Sequence, residues 1–126
     1  MPIKYEYDRE QNIVYSYSTG VISMSELTEY FRNLAEDPEV EDDFISIANL
    51  DGVKEFKFSY SDALQLPDLF TKMKSKKNQI GTILVAKKDF QFGMARMMSI
   101  VMERSMPTRV VRSQEEAEKE ISLLRG

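Results

Sequence analysis

The order in which apolar periodicity changes along the chain constrains its fold more than any other feature. FISIANL at 44–50 and IGTILVA at 80–86 are apolar runs too short for ordinary helices, and stretches of helical period lie before, between and after them. Buried strands that alternate with amphipathic helices pair in parallel through right-handed crossovers, which predicts an α/β sheet protein. At the start, Ile3, Tyr5 and Tyr7 alternate with polar residues, DREQN turns the chain, and IVYSYST at 13–19 follows as a second strand. That hairpin predicts an antiparallel edge on a mostly parallel sheet.

Helix signals sit where this scheme needs them. In SMSE at 23–26, Ser23 and Glu26 have capping-box spacing, and Leu27, Phe31, Leu34 and Ala35 then share a face, with Tyr30 at its edge. This helix is expected to stop before Pro38. A short alternating piece, Val53 to Phe58, follows the Asp51-Gly52 turn signal. Leu66, Leu69, Phe70 and Met73 then form a core stripe, and Pro67 predicts a kinked or delayed helix start. Asp89 is placed to cap a methionine-rich helix. RVVR at 109–112 reads as a last strand, and Ser113 with Glu116 caps a closing helix that turns Ala117, Ile121 and Leu124 inward. The expected order is β-β-α-β-(β)-α-β-α-β-α, in one domain over 1–126 with no repeat or linker.

Composition narrows the chemistry. A chain of 126 residues can bury a core without metal or disulfide staples. It has no cysteine and no histidine, which removes thiolate nucleophiles, thiolate metal sites and the side chain that ordinarily titrates near neutral pH. No nucleophile, base and orienting group stand together, and there is no phosphate loop or dinucleotide fingerprint. The carboxylates Glu41, Asp42 and Asp43 lie in a polar loop that gives no reason for shifted pKa values. The expectation is therefore no enzyme, no catalytic residue, no cofactor and no metal. A net charge of -4 argues against nucleic acid. MPIKYEYDRE lacks a signal-peptide core and no apolar run is long enough to cross a bilayer, so a soluble, cytoplasmic protein is expected.

FGMARMMSIVMERS, residues 92–105, holds four of the eight methionines. On a helical wheel, Phe90, Met94, Ala95, Met97, Met98, Val101 and Met102 fall within an arc of roughly 160°, opposite a polar stripe of Arg96, Ser99 and Glu103. Ordinary core accounts for such a stripe in most proteins. The arc is nevertheless broader than one sheet face needs, and flexible thioethers suit cavities and changing partners. This singles out Phe70, Met73, Phe90, Phe92, Met94, Met97, Met98 and Met102 as lining for a nonpolar or amphipathic ligand between two helices. Beyond the strand ends, Phe58 to Asp62 and Asp89 to Met94 are expected side by side, with Gly93 allowing either close ligand approach or close helix packing. Lys72, Lys74, Lys76 and Lys77, followed by Lys87 and Lys88, are candidates for contact with an anionic surface, against the plainer reading of a solvated helix end.

ANLDGVKEFKFSYSDALQL at 48–66 resembles the SpoIIAA-like proteins, relatives of the STAS domain of anti-anti-sigma factors. The likeness extends over the whole chain, through IVYSYSTGVIS, LAEDPEV, the stretch from FTKMKSKKNQ to MERS, and VVRSQEEAE. It implies a SpoIIAA-like βα superhelix, shared with CRAL-TRIO domains. It also implies two functional precedents. In anti-anti-sigma factors, a serine in an Asp-Ser-Ser-Gly turn at the second helix is phosphorylated and switches partner binding. The matching stretch here, Phe58 to Asp62, lacks that aspartate and that glycine but offers Ser59 and Ser61, while Ser59 with Asp62 has capping-box spacing on its own account. The small stand-alone relatives look like binders of nonpolar molecules, lipid or membrane surfaces. The leading expectation is accordingly a non-catalytic binding module for a nonpolar small molecule, lipid or peripheral membrane contact. The alternative is a STAS-type regulatory protein-interaction module, and exposed apolar helix faces also suggest a homodimer.

Overall fold

The computed structural model describes residues 2–126. β1 (Ile3–Asp8) and β2 (Ile13–Ser23) form the hairpin, and α1 (Met24–Glu36), β3 (Phe44–Lys57), α2 (Tyr60–Ala63), α3 (Leu66–Lys76), β4 (Gln79–Val85), α4 (Asp89–Met102), β5 (Thr108–Val111) and α5 (Gln114–Arg125) follow. The strands make one sheet in the order β1-β2-β3-β4-β5, antiparallel at β1/β2 and parallel elsewhere. The expected α/β architecture and hairpin edge are therefore present. Each βα connection advances the chain by one strand, so sequence order and spatial order coincide.

The two sheet faces are covered unequally. α1, α3 and α4 lie over one face, where Val14, Ile22, Phe44, Leu50, Leu84, Leu34, Phe70, Met98 and Met106 make the larger core. α5 alone covers the other, against Ile13, Ile45, Ile47, Ile83 and Val85. It lies close because Gly81 has no side chain: a Cβ there would meet Leu124 Cδ1 at 2.9 Å.

Two expectations about β3 and its surroundings need correction. The strand does not end at Asp51-Gly52 but continues to Lys57, pairing with β2 as far as Ser23↔Lys57. Gly52 serves close approach rather than a turn: it pairs with Thr19 at an irregularity in β2, and a Cβ would stand 2.9 Å from Thr19 Cγ2. Tyr30 is not at the edge of the α1 core face but buried with Leu27 and Leu34, while Phe31 and Ala35 are only half-buried. α3 has Pro67 in its first turn, after the four-residue α2, which is the delayed start that proline requires.

Candidate functional site

β2 and β3 run parallel and end side by side at Ser23 and Lys57, and each strand feeds a turn of the pattern Ser-X-Ser-acid. In the first, SMSE, Ser23 Oγ accepts from Glu26 N–H and the Glu26 carboxylate accepts from Ser23 N–H. In the second, SYSD, Ser59 Oγ accepts from Asp62 N–H at 3.1 Å and Asp62 Oδ2 accepts from Ser59 N–H at 3.1 Å. Both capping boxes are present, and in each the two serine hydroxyls touch, Ser23 to Ser25 at 3.1 Å and Ser59 to Ser61 at 3.0 Å. Their surroundings differ. Met24 packs against the core, whereas Tyr60 is 64% exposed and Leu64 52% exposed. Leu64 N–H donates to Tyr60 C=O, so these two side chains stand one helical turn apart on the same face. Ser59 and Ser61 are exposed beside them.

The start of α4 does not lie beside this turn in the way the strand ends suggested. It packs on the middle of β3, where Asp51 Oδ1 accepts from Lys87 N–H at 2.7 Å and Gln91 Nε2 donates to Val53 C=O at 2.7 Å. β3 then carries Ser59 onward past that contact. Asp89 is not the cap of α4: Lys88 is the N-cap, with no side-chain hydrogen bond, and Asp89 pairs with Arg112 at 2.8 Å. Gly93 is exposed with nothing within 4 Å of a built Cβ, so it does not serve close packing.

The methionine helix turns one side of its apolar arc inward, the side of Ala95, Met98 and Met102, and not the whole of it. The buried residues are Gln91, Ala95, Met98 and Met102, and Gln91 is accommodated inside because its Nε2 donates to Val53 C=O, beyond the stretch of β3 that pairs with β4. Phe90 points outward at 54% exposure, and Met94 and Met97 are half-buried at the flanks. Ile100 is 74% exposed, so α4 keeps apolar surface that the sheet does not cover. Phe92 lies under the Arg112 guanidinium, 3.8 Å from ring centroid to Cζ.

The proposed ligand lining is thus divided. Phe70, Met98 and Met102 meet at a cavity of about 50 Å³ between sheet and helices. Met73 belongs to an outer groove between α1 and α3, and Phe90, Phe92, Met94 and Met97 line neither space. At roughly 10–15 Å³ per water-sized occupant, the cavity has room for a few non-hydrogen atoms rather than an acyl chain. The lysines are divided as well. Lys74 Nζ donates to Ser105 C=O and the buried Lys77 donates to Asp37 C=O, which turns both away from solvent. Lys76 is 3.8 Å from Glu36, and Lys72 is exposed on the rim of the groove.

The feature that sequence reasoning missed is polar and interior. Along β2 the alternation puts Ser16 and Ser18 toward the helices, with Tyr15 and Tyr17 on the opposite face; Ser46 and Thr82, paired with each other and with Val14 on β2, lie on the same face one step along the strands. Tyr30 descends from α1 onto these residues. Burial pushes its phenol pKa up, opposed by the hydroxyls of Ser16 and Ser46, yet Tyr30 Oη closes no hydrogen bond. The signal available in the sequence was the serine alternation itself, in IVYSYST and FISIA.

No protein-family model and no curated protein sequence matches the chain. Solved structures do. An uncharacterised Shewanella loihica protein described as having a SpoIIAA-like fold superposes with a TM-score of 0.60 at 12% identity, over 94% of this chain and 93% of that one. The chain has the SpoIIAA-like fold. Two further SpoIIAA-like structures are similar: a putative anti-sigma factor antagonist from Thermotoga maritima, TM-score 0.60 at 11% identity, covering 95% of this chain and 94% of that one, and the anti-sigma factor antagonist SpoIIAA in its unphosphorylated form, TM-score 0.54 at 12% identity, covering 98% of both chains. Among the described residues, no helix of this SpoIIAA-like chain is long and apolar enough to cross a membrane.

Proposed function

We propose that this protein is a non-catalytic regulatory module of STAS type that binds a partner protein through the turn between β3 and α3. The observation that carries the reading is the exposed pair Tyr60 and Leu64, on one face, beside the exposed hydroxyls of Ser59 and Ser61. Apolar side chains of this size displayed together on a turn suit a protein interface, and tyrosine is prominent among residues that dominate such interfaces. Two of the similar structures are described as antagonists of anti-sigma factors, which supports protein binding over lipid binding. The absence of histidine and cysteine supports a role without catalysis.

Phosphorylation of Ser59 or Ser61 fits this reading as a switch. A phosphate on Ser59 would remove the hydroxyl proton shared with Ser61 and set up to two negative charges against the Asp62 carboxylate, which opposes the favourable effect of negative charge at a helix start and alters the surface that carries Tyr60. The test is a photo-crosslinking residue placed at position 60 in cells of the source organism, with a second placed at Leu123, which is exposed on α5. A discrete partner captured from position 60 only, whose purified form binds the chain and loses affinity on Tyr60→Ala, supports the assignment. A chain that crosslinks to nothing at 60, or equally at both positions, overturns it. Incorporation of phosphate that disappears in Ser59→Ala or Ser61→Ala identifies the switch residue.

A further inference from the structure

The sheet has two margins, and they are built differently. β5 is an edge of four residues, and its exposed Arg109 is paired with Glu120 of α5 at 3.6 Å. Short length and a charged side chain are the usual means of keeping an edge from recruiting another strand. β1 is six residues long, pairs with β2 without a bulge, and contains neither proline nor glycine. Thr19 N–H donates to Pro2 C=O at 2.8 Å, which fixes the direction of the backbone groups that follow. By the alternation of an antiparallel ladder, Lys4, Glu6 and Asp8 turn their N–H and C=O groups toward β2, and Ile3, Tyr5 and Tyr7 turn theirs outward. Among the described residues nothing bonds those outward groups, and a groove of about 380 Å³ separates the strand from α1, so the helix does not cover them.

Strand pairing with a second copy of this chain satisfies them, and the charges select the register. An antiparallel pair of β1 strands related by a twofold axis must set outward-facing residues opposite one another. Centred on Lys4, it brings Lys4 against Lys4; centred on Glu6, it brings Glu6 against Glu6. Centred on Tyr5, it pairs Tyr5 with Tyr5 and Ile3 with Tyr7, so every outward residue of both copies is bonded, and Lys4 stands opposite Glu6 twice. Registers further out leave two of the three outward residues of each copy unpaired. Lys4 and Glu6 are exposed on the face away from the helices. In the Tyr5 register they fall at the closely spaced positions of the ladder, with Cα atoms about 4.5 Å apart, where opposite charges attract and like charges repel.

We infer that β1 is a self-association edge: two copies of this chain join β1 to β1, antiparallel about Tyr5, into one continuous sheet held by two Lys4–Glu6 pairs. The homodimer then rests on a strand edge and not on the apolar helix faces. β2 separates β1 from β3, which leads to the partner-binding turn, so the two surfaces are independent and a dimer displays that turn twice.

The test is sedimentation velocity on the full chain over a concentration series, with Lys4→Glu, Glu6→Lys and an equimolar mixture of the two variants. The parent chain is expected to dimerise. Each variant alone sets like charges opposite each other twice and should dimerise about tenfold more weakly, at unchanged thermal unfolding, since both side chains are exposed. The two substitutions move net charge in opposite directions, so a general charge effect does not weaken both. In the mixture every facing pair is again of opposite sign, and dimerisation should return. A role of these residues in the stability of the monomer does not produce that recovery. A parent chain that stays monomeric at its highest soluble concentration overturns the inference, as does a dimer that neither variant weakens or a mixture no more associated than the variants alone.

Discussion

The two Ser-X-Ser-acid turns are the same device used twice, and the contrast between them separates what a cap does from what a binding surface does. Each stands at the end of one of two paired parallel strands, each closes a capping box, and each brings its two serine hydroxyls within about 3 Å. SMSE opens the 13-residue α1, and the residue four past its first serine, Leu27, is buried in the core. SYSD opens the four-residue α2, where the corresponding position is Ala63, and the large apolar side chains Tyr60 and Leu64 face solvent. The cap is local chemistry and indifferent to this outcome. Whether a turn is structural or presents a surface depends on which side of the following helix carries the large residues.

Substitutions can break this contrast, and the largest expected effect is in the core. Leu27→Ala should lower stability by about 2–5 kcal/mol in urea unfolding, whereas Leu64→Ala should change it by no more than about 0.5 kcal/mol. A large loss at Leu64 would show that the second turn is also structural. Next comes Tyr60→Ala, expected to weaken partner binding by about 2 kcal/mol, roughly thirtyfold, at unchanged stability, measured by calorimetry with the crosslinked partner. Met24→Ala, at the matching position of the first turn, should leave that affinity unaltered.

The caps themselves come third. Ser23→Ala should cost about 1 kcal/mol, and Ser59→Ala only a few tenths, because the helix it starts has four residues and little to lose. Equal losses would mean that α2 and α3 behave as one helical unit. The smallest effect sits at the far end of α1. There Tyr5 Oη donates to Asp37 Oδ2 at 2.6 Å, holding the Asp37 carboxyl below its ordinary 3.8, while burial, and then this bond, pushes the Tyr5 phenol up. A depressed carboxyl contributes stability above pH 3.8 that is lost as pH falls through its lowered value; a raised phenol contributes stability below pH 10.0 that is lost as pH rises beyond it. The stability difference between the parent chain and Tyr5→Phe should therefore be level between about pH 5 and 9 and narrow on both sides. A difference that is flat across the whole range would show that the bond does not perturb either group.

Much of this was legible along the chain, because it rests on interactions between near neighbours. The apolar runs, the caps at Ser23, Ser59 and Ser113, and the delayed helix at Pro67 all depend on residues within one turn of each other. Errors arose where a distant group decided. Asp51-Gly52 carries a turn signal, yet β2 supplies a partner strand and a tight passage beside Thr19, and the strand continues. Gln91 looks like a surface residue, yet it is buried with its Nε2 on the Val53 carbonyl, and of the methionine arc only Ala95, Met98 and Met102 are fully buried beside it.

By itself the sequence determined the succession of strands and helices, the parallel sheet with its antiparallel edge, and the caps, since periodicity and local hydrogen bonding act over a few residues. Only the tertiary structure decided which face of IVYSYST turns inward, because strand alternation leaves two choices and the packing of α1, α3 and α4 selects one. That selection buried the serines and brought Tyr30 over them, while α2, which buries only Ala63, leaves Tyr60 and Leu64 in solvent.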